Sequence, residues 1–123
     1  MAKILIIEDE ANLASVMQFL LTKAGHVVEI AGDGEQGIAM LKENIPDIVI
    51  TDILMPGKEG FETIREIRDA NPNLPIIATS GGGHTENYDF LRVAKTLGAT
   101  EIIRKPFRNH ELVALVDKCL NPA

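Results

Sequence analysis

A chain of 123 residues suits one domain with one core. Twelve basic against 18 acidic side chains leave a formal charge of −6, which disfavours nucleic acid and anionic membrane as partners. A lone cysteine, Cys119, excludes an internal disulfide, and no apolar run is long enough for a signal peptide or a membrane span, so the cytoplasm is the expected location.

Lys3-Ile4-Leu5-Ile6-Ile7 reads as a strand buried on both faces and stops at Glu8-Asp9-Glu10. Leu13, Val16, Met17, Leu20, Leu21 and Ala24 follow at helical spacing, and Gly25 stands where a helix end favours a left-handed residue. Residues 27–30 form a second strand with Glu29 inside it. Asp33-Gly34-Glu35-Gln36 offers an N-cap and a capping box. The helix behind it turns Ile38, Leu41 and Ala39 inward and ends before Pro46.

The third strand, 48–51, delivers Asp52 to its carboxyl end, and Pro56-Gly57 turns the chain four residues later. An aspartate there is a nucleophile, a metal ligand or a cap for the next helix. That helix uses Phe61, Ile64, Ile67 and Arg68 and stops at Asn71-Pro72. Residues 75–79 are a fourth strand. Gly81-Gly82-Gly83 lead to a helix over 85–97, closed by Gly98. A fifth strand spans 100–104, Pro106 breaks it, and a last helix runs over 109–120.

Five βα units argue for an α/β fold with a parallel sheet and helices on both faces. Strands one, three and four are almost wholly apolar and belong in the middle; strands two and five carry Glu29, Glu101 and Arg104 and belong at the edges. Right-handed crossovers then give spatial order 2-1-3-4-5, the flavodoxin-like doubly wound (βα)5 arrangement, with its switch point between strands one and three.

In that topology Glu8, Asp9, Asp52, Thr79, Ser80 and Lys105 converge on one sheet edge. Three carboxylates so close repel one another unless a cation intervenes. Oxygen ligands at an open site suit Mg²⁺, and an aspartate beside Mg²⁺ and a lysine is a competent nucleophile toward phosphorus. The residues therefore describe an aspartate that accepts a phosphoryl group.

The motifs Ile-Ile-Glu-Asp-Glu at 6–10, Asp-Ile-Leu-Met-Pro-Gly at 52–57, Pro-Ile-Ile-Ala-Thr-Ser-Gly at 75–81 and Lys-Pro-Phe at 105–107 resemble those of response-regulator receiver domains of two-component signalling, over essentially the whole chain. The resemblance implies one receiver domain over 1–123. Asp52 would be the phosphoacceptor. Asp9, Glu8, Asp52 and the backbone carbonyl of Leu54 would hold Mg²⁺. Ser80 would be the switch hydroxyl, Lys105 the partner of a phosphoryl oxygen, and Lys105–Pro106 a cis peptide. A sensor histidine kinase or histidine phosphotransfer protein would donate. A downstream protein would bind the face made by helix four, strand five and helix five, or the phosphoryl group would pass onward to another histidine. The short ends suggest a natural single domain, the alternative being a piece of a longer regulator.

Three departures stand out. Glu8 takes a position where the family often has aspartate, and Ile102 falls where it has a switch aromatic. Leu54 and Gly82 offer no group to orient an attacking water, which implies slow self-dephosphorylation. Rival readings are a receiver-like module that binds partners without phosphorylation, and a flavin enzyme, the latter opposed by the acidic run at 8–10. His26, His84 and His110 are expected in surface roles and Cys119 in the core. Phe19 lies off the first helix's apolar stripe, as an ordinary exposed residue or as part of a docking patch. Tyr88 and Phe90 cannot share one buried helix face.

Overall fold

The computed structural model describes residues 2–53, 60–80 and 87–121, with backbone alone for 87–91. Five strands and five helices alternate: β1 (Lys3–Ile7), α1 (Ala11–Lys23), β2 (Val27–Ala31), α2 (Gly34–Glu43), β3 (Ile48–Asp52), α3 (Gly60–Ala70), β4 (Ile76–Ser80), α4 (Asn87–Leu97), β5 (Glu101–Arg104) and α5 (Asn109–Leu120). All neighbouring strands are parallel, in the expected order β2-β1-β3-β4-β5. Every residue of β3 and β4 is buried, whereas the two edge strands carry exposed or half-buried positions throughout most of their length.

Alternation along the strands divides the interior in two. Ile4, Ile6, Ile48, Ile50 and Ile77 meet Met17 and Leu21 of α1 and Leu112 and Val116 of α5. Leu5, Ile7, Val49, Ile76 and Ala78 meet Ile38 and Leu41 of α2, Ile64 and Ile67 of α3 and Ala94 of α4. No helix among the described residues is long and apolar enough to cross a membrane.

Four local expectations are corrected. Val16 is 52% exposed. The inward row of α1 is Ala14, Met17 and Leu21, and Val16 lies one residue's rotation, about 100°, outside it. Ala24 is exposed because α1 ends at Lys23. Ala39 is exposed as well; Gly34, Gly37, Ile38 and Leu41 are the buried row of α2. Gly37 is small for a reason, since a Cβ there would lie 2.7 Å from Ile7 Cγ1. His26 is not a surface residue. Its ring is only 10% exposed, Nδ1 accepts from Ala2 N at 3.2 Å, and Nε2 stands 3.9 Å from Asp117.

The α2 cap forms with a shift of one residue. Asp33 Oδ1 accepts from Gln36 N at 2.8 Å, and Gln36 Oε1 accepts from Gly32 N at 2.7 Å instead of from residue 33. Gly25 and Gly98 take φ of 100° and 128° and close α1 and α4. Gly98 O also accepts from Arg68 Nε and Nη2 at 3.1 and 2.7 Å, while Arg68 Nη1 donates to Asn71 O and Pro72 O at 3.0 and 2.9 Å. One guanidinium thereby satisfies carbonyls left over at the ends of α3 and α4.

Candidate functional site

The strand register builds the site. Ile7 pairs with Thr51 across β1 and β3, which sets Glu8 level with Asp52, and Asp52 pairs with Thr79 of β4. Glu8 N donates to Ala31 O at 3.0 Å and Lys105 N to Ser80 O at 2.9 Å, so both ends are held by ladder bonds just past the strands. Glu8 and Asp52 are 3% and 5% exposed, and Asp9 is open to solvent. Oxygens of Glu8, Asp9 and Asp52 lie within 4.8 Å of one another.

Among the described residues, one cation reaches into this cluster. Lys105 Nζ is 2.6 Å from Glu8 Oε1 and 3.2 Å from Asp52 Oδ2. Burial raises the Glu8 pKa, the Lys105 hydrogen bond lowers it and the charge of Asp52 raises it again; the carboxyl stands above its ordinary value. Burial alone would lower the Lys105 ammonium, but the Glu8 hydrogen bond and the charges of Asp52 and Glu8 outweigh it, and its pKa is raised. The ammonium is therefore held charged between two buried carboxylates.

Thr79 and Ser80 are 1% and 0% exposed, and neither buried hydroxyl has a hydrogen-bond partner among the described residues. The peptide bond Lys105–Pro106 is cis. Gly60 opens α3 directly beneath the site, where a Cβ would lie 2.6 Å from the carbonyl carbon and oxygen of Ile53. Ile53 N in turn donates to Thr79 O at 3.0 Å, which ties the residue after Asp52 to β4.

The described residues expected at this edge lie there: Glu8, Asp9, Asp52, Thr79, Ser80 and Lys105. Leu54, the glycines 81–83 and His84 lie outside the described residues, as do the side chains of Tyr88 and Phe90. Ile102 is half-buried against the core beneath α4, and His110 is exposed and away from the acids. Sequence reasoning did not find the pairing of Lys105 with Glu8. The signal was present in the choice of glutamate, whose extra methylene extends its reach.

A family model described as the response regulator receiver domain matches residues 4–117. The transcriptional regulatory protein CpxR of Klebsiella pneumoniae is 35% identical over 116 residues, which are 94% of this chain and 48% of that protein. The chain thus spans about half the length of this curated relative. The crystal structure of NtrX from Brucella abortus superposes with a TM-score of 0.92 at 28% identity, over 98% of this chain and 27% of that one. A response regulator receiver domain protein from Clostridium thermocellum gives a TM-score of 0.91 at 33% identity, over 99% and 96% of the two chains.

Proposed function

The chain belongs to the response regulator receiver domain family, and from that premise we propose that it accepts a phosphoryl group from a phosphohistidine onto Asp52. One observation carries the reading: a lysine ammonium joins two buried carboxylates at the sheet's carboxyl edge, with a third acid within 4.8 Å. A purely structural ion pair has no use for the third carboxylate or for a buried hydroxyl left without a partner.

In the transfer the histidine P–N bond breaks as an Asp52 Oδ–P bond forms. The imidazole leaves with the bonding pair and takes up a proton, and the product is an acyl phosphate. Lys105 neutralises charge on the phosphoryl oxygens. Ser80 Oγ, buried and without a partner among the described residues, donates to one of them. Glu8, Asp9, Asp52 and the backbone carbonyl of Leu54 would hold Mg²⁺; the hard, acidic donor set fits that ion. When bound, Mg²⁺ supplies positive charge to the pocket and screens its carboxylates from one another.

The donor is a sensor histidine kinase or a histidine phosphotransfer protein. Output passes through a protein that reads the face of α4, β5 and α5, or through onward transfer to another histidine. The test is intact-protein mass after incubation with acetyl phosphate and Mg²⁺. A single added phosphoryl group is expected, absent in Asp52→Asn and in the presence of a chelator. Absence of the adduct in wild type, with Mg²⁺ binding demonstrated separately, would favour a module that only binds partners.

A further inference from the structure

Four residues occupy one layer above the core of α1 and α5. Glu8 follows Ile4 and Ile6 by alternation, Asp52 follows Ile48 and Ile50, Thr79 follows Ile77, and Lys105 follows Ile103; all six isoleucines belong to or pack on that single core. The layer is Glu8 just beyond β1, Asp52 on β3, Thr79 on β4 and Lys105 just beyond β5. Thr79 pairs with Asp52 on one side and with Ile103 on the other. Lys105 stands two residues past Ile103, so to bond Asp52 and Glu8 its side chain has to run back across the end of β4, and the β4 residue on that face level with Asp52 is Thr79.

Thr79 is 1% exposed and its Oγ1 has no hydrogen-bond partner among the described residues. Lys105 Nζ carries three donors, and two of them are directed to Glu8 and Asp52. A buried hydroxyl left unmade is costly, while a valine of the same shape would carry no such cost. The hydroxyl therefore sits beneath the arc of a lysine whose partners change during the reaction proposed above.

We propose that Thr79 is a positioning residue for Lys105. Its Oγ1 accepts an N–H of the ammonium when the Glu8 carboxylate turns to a cation and Lys105 turns to the phosphoryl oxygens. The hydroxyl is unsatisfied in the resting site and satisfied in the loaded one, so it lowers the cost of moving Lys105 off Glu8. The inference rests on the phosphoacceptor reading and adds a residue to it.

The test compares wild type, Thr79→Val and Thr79→Ser. Thermal midpoints are taken with a chelator present, and phosphoryl gain from acetyl phosphate with Mg²⁺ is followed by intact mass. Thr79→Val is expected to raise the metal-free midpoint, because it removes the orphan hydroxyl. It should at the same time slow labelling by about two- to tenfold, the worth of one hydrogen bond. Thr79→Ser should label close to the wild-type rate. Opposite signs on stability and rate, with rescue by serine, are not what a packing role produces. The inference is overturned if Thr79→Val labels as fast as wild type, if serine is as slow as valine, or if slowing comes with a lowered midpoint. A wild-type chain that gains no phosphoryl group removes the phosphoacceptor reading itself; a labelling wild type with an indifferent valine variant removes only the role of Thr79.

Discussion

Lys105 lies closer to Glu8, at 2.6 Å, than to Asp52, at 3.2 Å. In the resting chain the lysine's tighter bond is thus to a candidate metal ligand, not to the residue proposed to carry the phosphoryl group. Glu8 is 3% exposed and accepts a second bond from Glu10 N at 3.2 Å. Lys105→Met would keep the stem's bulk but leave Glu8 buried beside Asp52 without a cation. Removing one member of a buried pair costs about 3 kcal/mol, at the lower end of the usual range because Glu8 can take up a proton. Urea unfolding at neutral pH without divalent metal measures it. A loss below about 1 kcal/mol would class the pair with exposed ones.

Asp52→Asn should act in the opposite direction. It removes one of three carboxylates within 4.8 Å of each other, and Lys105 keeps its shorter bond to Glu8. The metal-free thermal midpoint is expected to rise, and added Mg²⁺ to raise wild type more than the variant, since wild type binds the ion more tightly. A lowered metal-free midpoint would mean that the Asp52–Lys105 bond outweighs the repulsion.

Much of this architecture is legible in the residues. Unbroken apolar runs in β1, β3 and β4 mark central strands, and charges in β2 and β5 mark edges, which is enough to order the sheet and to gather Glu8, Asp9, Asp52, Ser80 and Lys105. What the pattern leaves out is tertiary. Periodicity places Arg68 on the inward stripe of α3, but its partners are carbonyls at 71, 72 and 98, which no local signal connects. Lone-histidine odds misplace His26, because its burial depends on the start of β1 and on α5. The residues bring Thr79 to the same edge, but only the register sets it level with Asp52, and only the structure shows that its buried hydroxyl has no partner among the described residues.

Gly60 is the point at which α3 touches the strand end carrying Asp52. A Cβ at residue 60 would lie 2.6 Å from the Ile53 carbonyl, and backbone cannot swing aside as a flexible side chain can. Gly60→Ala is expected to destabilise the chain by about 2 kcal/mol, within the range for overpacking a close contact, despite alanine's better helix propensity. It should also slow phosphoryl gain at Asp52. A midpoint at or above wild type would show that α3 withdraws freely from Ile53.

Arg68 should resist replacement by lysine. Its guanidinium reaches Gly98 O, Asn71 O and Pro72 O with donors in a planar fork, and Nη2 lies 3.4 Å from Thr100 Oγ1. An ammonium is a single point and cannot serve carbonyls from two helix ends together. Arg68→Ala is expected to cost about 2 kcal/mol and Arg68→Lys to recover less than half of it. Denaturant midpoints decide, and full recovery by lysine would reduce the clamp to charge alone.

Cys119, 9% exposed on α5, gives the fold an alkaline limit. Burial raises its thiol pKa above the ordinary 9.0, the charge of Glu101 raises it further, and Lys118 lowers it in part. The folded chain therefore keeps the thiol proton to higher pH than the unfolded chain does. Its contribution is fully present below the unfolded pKa and is lost as the pH climbs through the folded one. Unfolding free energy should decline as the pH rises past the ordinary thiol value of 9.0, and Cys119→Ala, though less stable overall through lost packing, should decline less steeply. At pH near 8 iodoacetamide should modify the native thiol far more slowly than the urea-unfolded one, because thiolate and access are both lacking. Equal alkylation rates, with equal slopes for the two chains, would place the thiol in contact with solvent rather than in the core of α1 and α5.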